Sequence, residues 1–224
     1  MTRKTLFGLA ALAAVLTFAA IAFGASVPCP SSGTCFGTSG NDTIRGTKSA
    51  DDINGLAGND RINGRQGNDS IDGGTGRDRI LGGRGGDDIT GGDDNDRVKA
   101  GSGDDSVNGG DGADRLAGQS GDDTVSGDLG NDHIWGGKGD DTLDGGAGDD
   151  HISGGKGIDQ ISGGDGADHL NGRGDGRKAD TIDCGADDNA VDVVRVDAND
   201  QLVNCETTGP FTDIILRTGT RPNH

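Results

Sequence analysis

Residues 136–143 read GGKGDDTL, so that three glycines precede Asp141 by five, four and two positions and Leu143 follows it by two. The same aspartate returns every nine residues from position 42 to position 168 without a slip. A fixed period of this kind predicts a repeat architecture in which short units stack on one another. Glycine permits the positive φ angles of tight turns, and a carboxylate is the hard oxygen ligand that calcium prefers.

Each unit combines one aspartate with one aliphatic residue two positions later. The aspartates are Asp42, Asp51, Asp60, Asp69, Asp78, Asp87, Asp96, Asp105, Asp114, Asp123, Asp132, Asp141, Asp150, Asp159 and Asp168, followed after a three-residue insertion by Asp180. The aliphatic residues are Ile44, Ile53, Ile62, Ile71, Ile80, Ile89, Val98, Val107, Leu116, Val125, Ile134, Leu143, Ile152, Ile161, Leu170 and Ile182. Because a three-residue strand buries only its middle residue, we expect these aliphatic side chains to point inward and the aspartates to lie in calcium-binding turns.

The unit G-G-x-G-x-D-x-U-x, where U is aliphatic, resembles the haemolysin-type calcium-binding repeat of the RTX family over about residues 37–183. The resemblance implies an all-β fold, a parallel β-roll that is a right-handed β-solenoid. In it, the glycine-rich turns bind calcium and each x-U-x is a short strand. The sequence departs from the pattern where Ser49 and Asp94 replace the third glycine and Ala100 replaces the first.

Alternate units carry different residues directly after the aspartate. One series is Thr43, Arg61, Arg79, Arg97, Arg115, His133, His151 and His169; the other is Asp52, Ser70, Asp88, Ser106, Thr124, Thr142, Gln160 and Thr181. This sorting predicts that two units form one 18-residue coil with two sheets back to back. If aspartates 18 apart share a site, the regular register provides seven pairs in one series and six in the other, and therefore about 13 calcium ions.

The composition excludes an ordinary enzyme core, because 224 residues include 46 glycines, five Phe, one Trp and no Tyr. A disordered, self-repelling linker is the alternative that the composition alone leaves open. The net charge of -18 disfavours nucleic acid as a general partner. Since sixteen aliphatic side chains are too few to order the repeats, we expect calcium binding to supply much of the folding free energy.

The first residues are typical of a secretory signal peptide, predicted over residues 1–25. Two positive charges precede a continuous apolar run from Leu6 to Ile21, and small residues follow it. A retained membrane anchor is the alternative reading of the run. We therefore expect a secreted, extracellular protein without membrane contact after cleavage.

The four cysteines flank the repeats, with Cys29 and Cys35 before them and Cys184 and Cys205 after them. Export to an oxidising compartment favours one short-range disulfide at each end. Four cysteines allow three pairings, and a four-cysteine zinc site stays open as well.

This organisation predicts a small N-terminal cap over residues 26–36, the β-roll over 37–183, and a C-terminal cap and tail over 184–224. Within the last segment, valines and the pair Leu202-Val203 flank a turn at residues 198–200, which predicts a hairpin-like cap.

Catalytic motifs are absent from the sequence, which contains no H-E-x-x-H, no G-x-S-x-G and no P-loop. We therefore expect a calcium-binding structural module and no enzyme. A carbohydrate-active enzyme with its site on the roll and a simple extracellular calcium buffer are the alternatives.

Basic residues concentrate in one stripe, consisting of Arg45, Arg61, Arg79, Arg97, Lys99 and Arg115. The stripe serves either charge balance or an adhesive role, in which Arg61, Arg79, Arg97 and Arg115 bind an anionic cell-wall polymer or polysaccharide. His133, His151 and His169 continue it beside Trp135, as exposed surface residues or as ligands of a transition metal.

Overall fold

The computed structural model describes residues 25–30, 34–174, 178–185 and 192–205. These residues form twenty β-strands and contain no helix, and hence none that could span a membrane. Residues 1–24 of the predicted signal peptide and the predicted tail from residue 206 onward lie outside this part of the chain. Both stay predictions.

The strands alternate between two parallel ten-stranded sheets, which we call sheet I and sheet II. Sheet I consists of β1 (Ser26–Pro28), β3 (Thr43–Arg45), β5 (Arg61–Gln66), β7 (Arg79–Arg84), β9 (Arg97–Ser102), β11 (Arg115–Ser120), β13 (His133–Lys138), β15 (His151–Lys156), β17 (His169–Asn171) and β19 (Val193–Arg195). Sheet II consists of β2 (Thr34–Phe36), β4 (Asp52–Asn54), β6 (Ser70–Thr75), β8 (Asp88–Asp93), β10 (Ser106–Asp111), β12 (Thr124–Leu129), β14 (Thr142–Ala147), β16 (Gln160–Asp165), β18 (Thr181–Asp183) and β20 (Gln201–Val203).

One coil contains one strand from each sheet, so partners within a sheet lie 18 residues apart throughout the regular units. Arg61 pairs with Arg79 in sheet I, for example. The parallel β-solenoid and its two-unit coil are thereby confirmed. The three-residue insertion lies between β17 and β18, and Gln160 still pairs with Thr181 in register.

The core lies between the two sheets and consists of the predicted aliphatic residues. All sixteen are at most 2 % exposed. Each stacks on its counterpart one coil away, as Ile80 does on Val98 in the pairing of β7 with β9. The inward position of the aliphatic residue is therefore confirmed for every unit.

The strands are longer than the three residues that the resemblance implied. That length holds for β3, β4, β17 and β18 but is wrong for β5 to β16, which have six residues each. The chain stays extended through the closely packed position of the first glycine of the next unit, which Ala100 occupies in β9. At Gly91, a Cβ would lie only 2.5 Å from the carbonyl oxygen of Gly109 and 2.6 Å from Oδ2 of Asp96.

Both ends carry the predicted short-range disulfides, Cys29–Cys35 and Cys184–Cys205. The zinc alternative fails because these bonds use all four cysteines. The flanking strands continue the solenoid, and β1 pairs in parallel with β3.

The predicted C-terminal hairpin is wrong. Strand β19 pairs in parallel with β17, and β20 pairs in parallel with β18, so the two strands belong to different sheets. Val194 occupies the next inward position of the core and is 1 % exposed. The segment thus adds one more coil to the solenoid.

Candidate calcium-binding turns and the cationic ladder

The sixteen predicted aspartates all lie buried at the turns, with side chains between 0 % and 8 % exposed. They are joined by a repeating hydrogen bond, in which the backbone N–H of one aspartate donates to Oδ1 of the aspartate one coil later. The bond from Asp60 to Asp78 and the bond from Asp78 to Asp96 both measure 2.7 Å. Aspartates of one series therefore form a continuous column along each edge of the solenoid.

The second carboxylate oxygen is left without a hydrogen bond in eleven of these aspartates. Within the described residues, Oδ2 is buried without a hydrogen-bond partner in Asp60, Asp69, Asp78, Asp87, Asp96, Asp105, Asp114, Asp123, Asp132, Asp141 and Asp150. A buried charged oxygen is costly unless an opposite charge or a donor compensates it. The turns therefore have the electrostatic requirement of a cation site.

Backbone oxygens share the space with these carboxylates. Asp96 Oδ2 and the Gly109 carbonyl oxygen approach the same position beside Gly91, one from each of two successive coils. In the part of the chain that the structure describes, no three His, Cys, Asp or Glu side chains gather to hold a metal ion. A site here must therefore be completed by carbonyl oxygens, and such an all-oxygen set fits calcium.

Burial also changes the acidity of the turn carboxylates. It raises the pKa of Asp96 to about 8, with repulsion from Asp78, Asp114 and Asp94 adding to the effect and the hydrogen bond from the Asp78 N–H opposing it. Burial likewise raises the pKa of Asp78 and Asp123 to about 7. Without a cation, these turns thus resist ionisation near neutral pH, and a bound divalent cation would favour the charged form.

The turn geometry persists at one of the irregular units. The third glycine of a unit adopts a positive φ, as Gly85 does at 118°. Asp94 stands at the equivalent position and adopts a φ of 75°. Because aspartate tolerates the left-handed region better than most residues, the turn keeps its conformation there.

Two aspartates that the sequence did not predict also belong to these columns. Asp192 Oδ1 accepts the N–H of Asp168 at 2.9 Å, and Asp200 Oδ1 accepts the N–H of Asp180 at 3.2 Å. Each is followed two residues later by an aliphatic residue, so the D-x-U signal was present. The irregular spacing hid it, since Asp192 comes 24 residues after its partner.

The predicted cationic ladder lies on the outer face of sheet I. Its four members are exposed and mutually in register: Arg61, Arg79, Arg97 and Arg115. Arg45 and Lys99 lie in the next column of the same face, opposite Asn63 and Ala117 respectively, and not in the ladder itself. The stripe is therefore divided into two columns.

An open groove runs beside the ladder, between it and the aspartate column. Its lining consists of the four ladder arginines with Arg77, Asn41, Asn59, Asn95, Asp60, Asp78 and Asp96. Arg77 is a further cation that the sequence did not single out, because it precedes its aspartate instead of following it. Among the described residues the one salt bridge is Lys178–Asp140, so no ladder arginine is neutralised there by an ion pair.

A model of the RTX calcium-binding nonapeptide repeat (4 copies) matches the chain at residues 36–71, 55–89, 63–98, 90–125, 117–152 and 144–177. The overlapping matches extend from residue 36 to residue 177, well over half of the chain. No curated protein sequence matches it.

Proposed function

Because the chain belongs to the RTX calcium-binding nonapeptide repeat family, we propose that this calcium-binding structural module folds outside the cell and adheres there to anionic polymers through sheet I. The observation that carries the proposal is the row of buried Oδ2 atoms, which can keep their negative charge in stacked coils only if a cation compensates it. The adhesive part rests on the ladder arginines, which form no ion pair within the described residues.

The calcium ligands we propose are the sixteen repeat aspartates from Asp42 to Asp180, together with carbonyl oxygens of the glycine turns. Asp192 and Asp200 extend the same columns. Pairs of aspartates 18 residues apart would share an ion, for about 13 ions in the regular register. Bound calcium would supply the positive charge that the buried carboxylates require and would link one coil to the next.

An extracellular location fits the family, the disulfides and the affinity of such sites. RTX repeats are typical of secreted proteins, and both cysteine pairs are oxidised. Extracellular calcium modules commonly bind at about 10⁻⁴ to 10⁻³ M, so the chain would stay unfolded inside the cell and fold outside it. Residues 1–25 would direct the export.

Circular dichroism of the chain lacking residues 1–25 tests the calcium-dependent fold. In excess chelator we expect a largely disordered spectrum, and added calcium should produce a β-rich spectrum over a narrow concentration range. Magnesium at the same concentration is the control, because its rigid octahedral coordination suits these turns poorly. A strong β-signal that persists in chelator at neutral pH would contradict the proposal.

The adhesive role follows from the spacing of the ladder. Neighbouring strands of a sheet are about 4.8 Å apart, so four guanidinium groups form an evenly spaced row. A polymer with regularly repeated negative charges can contact several of them at once and gain avidity without a deep pocket. Arginine also binds carboxylate and sulfate groups through two hydrogen bonds, which adds geometric preference.

Replacement of Arg61, Arg79, Arg97 and Arg115 by Gln tests this role. Binding to anionic cell-wall material should require calcium, weaken with added salt, and disappear in the quadruple variant. The matched control replaces Lys48, Arg84, Lys138 and Lys156 by Gln, which removes the same charge from exposed positions outside the ladder. Equal binding by both variants would show that only net charge matters.

A further inference from the structure

Beyond the last ladder arginine, the same face of sheet I carries a stack of aromatic rings. The His133 and His151 ring centroids are 4.8 Å apart and nearly parallel, at 3°, and His169 follows at 4.5 Å and 14°. The stack is a direct result of the register, since the three residues pair across β13, β15 and β17. Burial and the neighbouring histidines lower the pKa of His151.

Trp135 stands beside this stack and is 44 % exposed. Its ring centroid lies 5.9 Å from that of His133, with the planes tilted by 39°. Its register partners on both sides are small, Ala117 on β11 and Ser153 on β15. A large aromatic side chain therefore lies between two small neighbours on the outer face of sheet I.

The aromatic cluster directly continues the cationic ladder. Arg115 is the register partner of His133, so the ladder and the ring stack form one column. Trp135 lies two residues further along β13 on the same face, about 7 Å away along the strand. One extended ligand can therefore reach both the guanidinium groups and the indole.

We propose that Trp135 and His133 form a stacking subsite for a sugar ring, and that the occupant of this face is an acidic polysaccharide. This deepens the adhesive function proposed above and rests on it. A pyranose ring has an apolar C–H face and a polar edge, and an exposed indole offers the complementary apolar, electron-rich face. The acid groups of neighbouring sugars then meet the arginines.

Other polyanions match only half of this surface. A polymer of acidic amino acids or of phosphates has charges for the ladder but no ring face for Trp135. A single-stranded nucleic acid stacks its bases on successive aromatic side chains, whereas this column carries arginines at four successive positions and rings only beyond Arg115.

The single Trp and the absence of Tyr make intrinsic fluorescence a specific probe of this subsite. The calcium-loaded full chain is titrated with a hyaluronan oligosaccharide, with poly-L-glutamate of equal charge, and with oligo(dT), and affinities are measured in parallel by calorimetry. We expect the oligosaccharide to bind more tightly than the other two and to be the one that shifts the Trp135 emission. Tighter binding or a larger shift with oligo(dT) would overturn the proposal in favour of nucleic acid.

Two variants separate the subsite from the ladder. Trp135→Ala should weaken oligosaccharide binding about tenfold and leave poly-L-glutamate binding unchanged, whereas Trp135→Phe should retain most of the affinity. Leu129→Ala, which removes an exposed apolar side chain from sheet II, is the control and should change neither. If Trp135→Ala binds the oligosaccharide like the parent, the stacking subsite is refuted while the adhesive function stands. If the parent binds no polyanion, the adhesive function itself fails.

Discussion

Replacing one interior carboxylate measures how strongly calcium joins the coils. Asp105 is 3 % exposed, accepts the N–H of Asp87 on Oδ1 at 2.8 Å, and donates its own N–H to Asp123 at 3.0 Å. Asp105→Asn keeps the shape and the acceptor oxygen but removes the charge. Because Asp105 has an aspartate neighbour on each side, the substitution weakens two proposed calcium sites.

The size of the effect follows from these two sites. An ion that loses one anionic ligand binds at least about tenfold more weakly, which is about 1.4 kcal/mol, so two sites lose about 3 kcal/mol. At saturating calcium, the free energy of unfolding should fall by that amount. The calcium midpoint of folding should rise only about 1.5-fold, because about 13 ions share the loss in a cooperative transition.

Urea denaturation at saturating calcium is the assay, with two matched variants beside Asp105→Asn. Asp104→Asn makes the same change at the adjacent exposed residue, whose Oδ1 accepts the N–H of Asp122 at 3.0 Å, and should cost less than about 0.5 kcal/mol. Asp42→Asn, with a repeat aspartate on one side only, should cost about half as much as Asp105→Asn. If the buried and exposed variants are equally destabilised, the carboxylates do not hold ions between coils.

Three further outcomes test other parts of the structure. In chelator, the raised pKa of Asp96 stabilises the fold fully at a pH below 3.8, the pKa of the unfolded chain, and this stabilisation is lost as the pH rises through about 8. The β-signal of the calcium-free chain should therefore increase on acidification, and a spectrum that does not change with pH would contradict this. Gln119→Gly should raise the free energy of unfolding by about 1 kcal/mol because Gln119 adopts a φ of 84°, whereas Ala117→Gly on the same strand should lower it. Replacing Cys184 and Cys205 by Ser removes a disulfide between residues 21 positions apart and should lower the free energy of unfolding by about 3 kcal/mol in the same urea assay. Equal stability of the variant and the parent would refute this expectation.

The regular part of the solenoid was predictable because its decisive contacts are encoded in a short period. Ile80 and its equivalents recur at one position per unit, and the alternation of arginine with serine or threonine revealed two faces. Strand length was not predictable in the same way. It depends on contacts between coils, such as the closeness of Gly91 to the Gly109 carbonyl, which no single unit contains.

The candidate site likewise has a part that the repeat predicts and a part that it does not. Aspartate positions were predictable from the nine-residue period as far as Asp168, and Asp180 was recognisable after a three-residue insertion because Ile182 follows it by two residues. Asp192 and Asp200 were missed because loops of irregular length precede them, although each enters its column normally. The aromatic contact between Trp135 and His133 could be placed on one face from sequence, but its 5.9 Å separation and tilt depend on side-chain packing.

The alternation of units between the two sheets restricts how the length of this protein can change. Loss of 18 residues removes a whole coil and joins two strands of the same sheet. If the coil that contains Arg115 is lost, Arg97 pairs with His133 and every later side chain stays on its sheet. Loss of nine residues preserves each turn and each inward aliphatic residue, yet it moves everything downstream to the opposite sheet. The histidines would then follow the serine and threonine column of sheet II, while Thr142 would extend the arginines. The solenoid would then fold with its two outer surfaces exchanged beyond the deletion. The length of the chain can therefore change without this exchange only by even numbers of units.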